Sequence, residues 1–255
     1  MPVQFLLFAF VLGAVTGSFL NVCIYRIPAG ESIVFPASRC PACRTAIRWY
    51  QNIPVLSYLA LRGRCASCGT SISIRYPLVE ALCGVLFVLV LQRFGLHGFT
   101  PVYWLFAAAL VTITFIDLDH QIIPDVISLP GIVVGFLCSF ILPHLSWLDS
   151  LFGILLGGGS LLLVAEVYQR LTGKDGMGGG DIKLLAMLGA FLGWKAVLPV
   201  IFLSSLMGTL VGVPLMLIRK ADGGLPIPFG PFLAAAAMIY LLWGPALISW
   251  YFSLL

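Results

Sequence analysis

Pro101-Val102-Tyr103-Trp104-Leu105-Phe106-Ala107-Ala108-Ala109-Leu110-Val111-Thr112-Ile113-Thr114-Phe115-Ile116 is a stretch of sixteen residues without a charge, and it ends in Asp117-Leu118-Asp119-His120. A run this long and this apolar reads as a membrane crossing, and an acid directly behind it reads as a carboxylate held at the membrane edge. The rest of the chain repeats the first half of that pattern. Eight apolar runs can be drawn, roughly 5–25, 78–94, 101–116, 126–142, 149–169, 182–194, 196–218 and 231–253. The run at 182–194 is short and polar at its start, so a seven-span chain with 182–218 partly re-entrant is the competing layout. Composition agrees with either: 60% of the 255 residues are hydrophobic and 9% charged, against about a quarter charged in soluble domains. The expected class is an all-α polytopic membrane protein of about eight transmembrane helices.

The cations orient it. The first run has no basic residue before it and is too long for a signal-peptide core, so it is expected to remain as a helix. With eight crossings, 12 of the 14 Lys and Arg fall on the side that receives Arg26, leaving Arg93 and Lys195 on the other. By the positive-inside rule the loops 26–76, 117–125, 171–183 and 221–230 are then cytoplasmic and both termini face outward. The net charge of +4 is thus mostly a topology signal, with some attraction to anionic lipid, and does not mark a nucleic-acid binder. Three regions follow: a first helix at 1–25, a cytoplasmic loop at 26–76, and a membrane core at 77–255.

Loop 26–76 is too poor in apolar residues for a core of its own and needs a staple. It contains Cys40-Pro41-Ala42-Cys43 and Cys65-Ala66-Ser67-Cys68, 21 residues apart. Two such pairs can give four thiolates to one tetrahedral Zn²⁺, a structural site. Disulfides compete with this, against a reducing cytoplasm, and so does a redox pair, against the lack of a βαβ setting. Cys23, Cys83 and Cys138 sit in apolar runs as small buried residues.

Each acid near lipid needs a reason. Glu31, Asp175 and Asp222 read as solvated loop acids. Asp149 and Asp125 read as helix N-caps, Glu80 as an acid favouring its helix start, and Glu166 as the partner of Arg170 one turn on. His120 reads as a solvated loop histidine. Asp119 lies about 200° around the helix from Asp117, so the two cannot face one partner. The remaining acid is Asp181, behind Gly178-Gly179-Gly180 and ahead of Ile182-Lys183. Alone it could be another N-cap after a glycine turn. A phosphate loop is excluded by the missing Gly-Lys-Ser/Thr. Together, Asp117 and Asp181 would form a pair at one face of the membrane, able to share a proton and hydrolyse a peptide bond. A transporter binding an ion or proton through these acids is the alternative, although such acids usually lie nearer the midplane.

The chain resembles the bacterial type IV prepilin peptidases, integral-membrane aspartic peptidases of the Gly-x-Gly-Asp type. The resemblance rests on Gly17-Ser18-Phe19-Leu20-Asn21-Val22, Tyr25-Arg26-Ile27-Pro28, both Cys-x-x-Cys pairs and Arg75-Tyr76-Pro77-Leu78-Val79-Glu80. It continues through Asp117 to Asp125, Gly178-Gly179-Gly180-Asp181-Ile182-Lys183 and Pro228-Phe229-Gly230-Pro231. It implies an inner-membrane enzyme that removes the basic leader of prepilins and type II secretion pseudopilins after a glycine. It also implies methylation of the freed amine with S-adenosylmethionine, although no Gly-x-Gly-x-x-Gly fingerprint is present. By motif, Asp117 and Asp181 match the catalytic pair, and Cys40, Cys43, Cys65 and Cys68 match a zinc module that favours the bifunctional form over a peptidase without methyltransferase activity. One tension remains. Seven Arg of loop 26–76 against Glu31 would repel a basic leader, which must be drawn by Asp119, Asp125, Asp175 or Asp222, or read by shape.

Overall fold

A computed structural model describes residues 1–173, 178–219 and 227–253. The expectations placed on Asp175 and Asp222, and parts of the loops 171–183 and 221–230, lie outside these residues. The described residues are all-helical apart from two isolated β-bridges. The elements are α1 (Val3–Arg26), a 3₁₀ turn η1 (Trp49–Asn52), α2 (Leu56–Ala60), α3 (Arg75–Phe94), α4 (Thr100–His120), α5 (Asp125–Cys138), α6 (Trp147–Thr172), α7 (Gly179–Leu192), α8 (Trp194–Arg219) and α9 (Gly230–Ser253). α1, α3, α4, α6, α8 and α9 include six segments long and apolar enough to cross a bilayer. The chain is a polytopic membrane protein. α5 and α7, with 14 residues each, extend only about 21 Å at 1.5 Å per residue, less than the roughly 30 Å of a hydrocarbon core. The expected crossings at 126–142 and 182–194 fall on these two shorter helices, so length and composition alone support six of the expected eight. α7 is bounded at both ends by glycine, at Gly178 and at Gly193, whose φ of 78° lies in the left-handed region.

The chain divides into two compact units, Met1–Thr112 and Ile113–Leu255. In the first, α1 and α3 run antiparallel through a glycine seam. A Cβ on Gly13 would lie 2.7 Å from the Cys83 carbonyl oxygen, and one on Gly17 would lie 2.7 Å from the Glu80 Cα. Small residues four apart let two backbones approach, the usual means of helix association where lipid supplies no hydrophobic drive. Phe87 stacks on Trp104 with centroids 5.2 Å apart, and the indole N–H donates to the Phe87 carbonyl at 3.0 Å.

In the second unit α7 is the packed centre, buried from Leu184 to Phe191. Gly153 of α6 meets Gly189, and a Cβ on Gly157 would be 2.5 Å from the Leu185 carbonyl oxygen. The glycine run 157–159 thus permits close approach at Gly157 and Gly158, while Gly159 meets nothing. On α5, Gly131 packs on Met187, and Gly135 packs on Ala190 and Phe191. These contacts make α5 and α7 parallel, so that their N-termini lie together. That arrangement builds the site.

Candidate active site

Asp117 occupies the last turn of α4. The helix continues to His120 and closes at Gln121, whose φ of 55° turns the chain out and whose N–H donates to the Asp117 carbonyl at 2.9 Å. Because α4 persists past Asp117, the expected phase difference holds: Asp117 is 5% exposed, whereas Asp119 and His120 are on the exposed side. The Asp117 Oδ2 accepts a hydrogen bond from the Gly230 N–H at 2.9 Å. Gly230 opens α9, so this bond lies at the positive end of a helix. A Cβ on Gly230 would lie 2.6 Å from that same oxygen and 3.3 Å from Ile123. Any side chain here would have to displace that carboxylate or the start of α9.

Asp181 stands in the first turn of α7, whose N-cap position is held by Gly178. It is therefore not an N-cap, and its carboxylate is left for other partners. Gly180 lies against Ile123, which a Cβ would approach to 2.9 Å. The glycine run thus lets the start of α7 press on the α4–α5 connection. Asp117 and Asp181 line one cavity of about 800 Å³ with Ile123, Pro124, Gly178, Ile227 and Phe229. The two acids singled out in the sequence are brought together.

Three of the other acids are placed differently from their reading. Asp125 is the first residue of α5, with Pro124 at the cap. Its two oxygens take the Lys183 ammonium at 2.7 and 2.8 Å, on the rim of the same cavity. This pair joins the starts of α5 and α7 and neutralises one of the acids considered for a basic leader. Asp149 is likewise inside its helix: Ser146 caps α6, and Asp149 accepts from the Trp194 indole at 2.9 Å. Glu80 is buried in the second turn of α3, where it accepts the Val55 N–H at 2.7 Å. Glu166 and Arg170 pair at 2.7 Å as expected. Sequence reading passed over Lys183 and the Gly230 N–H as parts of the site. A cation two residues after Asp181 was visible, but its partner 58 positions away was not.

In the first unit, the sulfurs of Cys40, Cys43, Cys65 and Cys68 lie within 4.8 Å of one another, with Cys40 Sγ and Cys68 Sγ 3.8 Å apart. A tetrahedral ion with bonds of about 2.3 Å has ligands about 3.8 Å apart, so the donor set suits Zn²⁺. All four cysteines are free thiols. The halves are built alike. The Cys40 N–H donates to the Thr45 carbonyl at 3.0 Å and the Cys65 N–H to the Thr70 carbonyl at 2.8 Å, and each turn closes through a left-handed residue, Arg44 or Gly69. The bridges Arg39–Ala46 and Arg64–Ser71 frame the two turns. The sequence holds this repeat as Arg-Cys-x-x-Cys-x-Thr-x-Ile, beginning at Arg39 and Arg64, a signal beyond the cysteine spacing alone. The Thr45 hydroxyl holds the Cys43 thiol below its ordinary pKa, the Thr70 hydroxyl does the same for Cys68, and the backbone N–H of Cys68 does so for Cys65. Such thiols ionise readily for a metal.

Fold and site together define a membrane-embedded helical protein with paired aspartates in one cavity and a four-cysteine module in a connecting loop. Residues 104–213 match the model of the Type IV leader peptidase family, and residues 11–94 match that of the Bacterial Peptidase A24 N-terminal domain. Proteins named prepilin leader peptidase/N-methyltransferase are similar over nearly the whole chain. Those of Stutzerimonas stutzeri and Pseudomonas aeruginosa are each 41% identical over 98% of this chain and 94% of their own length. That of Neisseria gonorrhoeae is 44% identical over 91% of this chain and 88% of its own. No solved structure matches. The chain belongs to the type IV leader peptidase family.

Proposed function

We propose that this protein is a bifunctional inner-membrane enzyme that cleaves the leader from prepilins and pseudopilins after a glycine and then methylates the new N-terminus. Asp117 and Asp181 carry the hydrolysis. The observation that supports this is their convergence, from α4 and α7, on one cavity. Two carboxylates that meet in one cavity can share one proton. The ionised one removes a proton from water as its oxygen attacks the scissile carbonyl carbon, and the protonated one donates to the carbonyl oxygen. When the C–N bond breaks, the proton taken from water passes to the leaving amine. Collapse of the tetrahedral carbon returns the other, and the pair again holds one. The Gly230 N–H fixes Asp117 throughout, and Asp125 with Lys183 fixes the start of α7.

S-adenosylmethionine supplies an electrophilic methyl group on sulfur to the amine that cleavage frees. Cys40, Cys43, Cys65 and Cys68 hold a structural Zn²⁺ that replaces the core loop 26–76 lacks. Cavity and module face the cytoplasm and both termini the periplasm, in keeping with the placement of cations.

Purified enzyme incubated with a prepilin and read by mass spectrometry tests the assignment. Asp117→Asn and Asp181→Asn should each abolish cleavage. Asp119→Asn should lose little. Asp125→Asn should lose about 1 kcal/mol or less, the worth of a partly exposed ion pair. Cleavage by the Asp117 variant with none by the Asp119 variant would overturn the choice of first aspartate.

A further inference from the structure

Between Glu31 and Glu80 the chain has no acid and six arginines, a net charge of +6 over 32–79. Arg39, Arg44, Arg48, Arg62 and Arg64 are all exposed. The same segment exposes large apolar side chains: Trp49 is 81% exposed, Leu56 64% and Leu59 65%. Leu56 and Leu59 are three apart on α2 and share a face. η1, carrying Trp49 and Tyr50, is tied to α2 by the Ser57 hydroxyl, which donates to the Tyr50 carbonyl at 3.0 Å. The Arg48 guanidinium holds the Tyr50 hydroxyl at 2.8 Å. The result is an aromatic and aliphatic ridge flanked by cations, in a loop that nothing in the hydrolysis uses.

We propose that residues 44–64 are an interfacial surface that lays this loop on anionic lipid headgroups. Three observations select that occupant. The loop leaves α1 at Arg26 and enters α3 at Arg75, and because those helices are antiparallel both ends lie at one end of the pair, close to a bilayer surface. Arg26 shortens the tether further by donating to the Ser32 and Pro36 carbonyls at 2.9 and 2.8 Å. The chemistry, tryptophan and tyrosine with leucines beside arginines, is that of segments lying in the headgroup region. The charge also excludes the other obvious ligand, since a basic leader would be repelled. The clustered arginines thus serve the lipid, and the tension they raise for leader binding disappears.

Full-length enzyme is reconstituted in vesicles of phosphatidylcholine alone, or mixed with phosphatidylglycerol, containing lipid brominated near the headgroups. The Trp49 signal is the difference between wild type and Trp49→Phe. It should be quenched in the phosphatidylglycerol vesicles, less so without that lipid, and less so at high salt. Arg48→Gln with Arg62→Gln, both outside the cysteine turns, should reduce the quenching while the zinc bound per chain, unchanged from wild type, reports an intact loop. An unquenched Trp49 in every vesicle overturns the proposal. Quenching indifferent to lipid charge and salt overturns the headgroup recognition. A Trp49 signal that changes only when prepilin is added makes the ridge a substrate surface instead.

Discussion

The helices of the second unit and the connecting loop of the first reach order by opposite means. In the second, backbones are drawn together by missing side chains: Gly131, Gly135, Gly153, Gly157 and Gly189 let α5 and α6 close on α7. In the first, loop 26–76 exposes most of its apolar side chains and is gathered by four thiols and their turns. Close helix packing suits a region that must hold two carboxylates to a fraction of an ångström, because the positions of Asp117 and Asp181 follow from the helices carrying them. A ligand-gathered loop suits a region whose surface must stay free for a partner. The two regions should therefore fail differently.

The largest effect short of replacing an aspartate is expected at the glycine seat of Asp117. Gly230→Ala places a methyl where the Oδ2 sits, 2.6 Å from the ideal Cβ, so either the carboxylate or the start of α9 must move. A misplacement of about 1 Å costs roughly a hundredfold in rate. Prepilin cleavage should fall by about that much in kcat, with little change in KM, while methylation of a mature peptide is spared. An unchanged kcat would show that the Gly230 hydrogen bond does not position the catalytic acid.

A smaller effect on cleavage, and a larger one on methylation, is expected from Cys40→Ser with Cys43→Ser. Removing two of four thiolates should lower bound zinc from about one per chain, as a single four-thiolate site requires, to near none. Cleavage, normalised to folded, membrane-inserted enzyme, should persist better than methylation. Equal loss of both after that normalisation would mean that the loop supports the whole molecule rather than one chemistry.

What the sequence disclosed follows the range of each interaction. Asp117 was legible because it ends an uncharged run, and its separation from Asp119 is a matter of helical phase. The four cysteines were legible because metal spacing is local. Asp125 and Asp149 were misread as N-caps and Glu80 as a helix-start acid, since their partners are Lys183, Trp194 and the Val55 N–H, 58, 45 and 25 positions away. The helix starts themselves are set one residue or more earlier, by Pro124 and Ser146. The short lengths of α5 and α7 were hidden because apolar composition reports burial and does not say whether lipid or protein covers the helix. Here α7 is covered by its neighbours. The glycine seam at Gly13 and Gly17 was present as a spacing of four but acquires meaning only opposite Glu80, Cys83 and Gly84.

The central claim is that cleavage belongs to the aspartate pair and methylation does not need it. Methyl transfer to an amine requires a neutral nitrogen, an aligned methyl donor and a way to lose one proton, and no step calls for two carboxylates sharing one. The direct measurement gives Asp181→Asn enzyme, normalised to folded protein, a pilin peptide that already has its free N-terminus, together with S-adenosylmethionine, and follows the peptide mass. The account predicts a methylated product from an enzyme that leaves intact prepilin uncut. A peptide that stays unmethylated would contradict it and place both reactions in one shared centre.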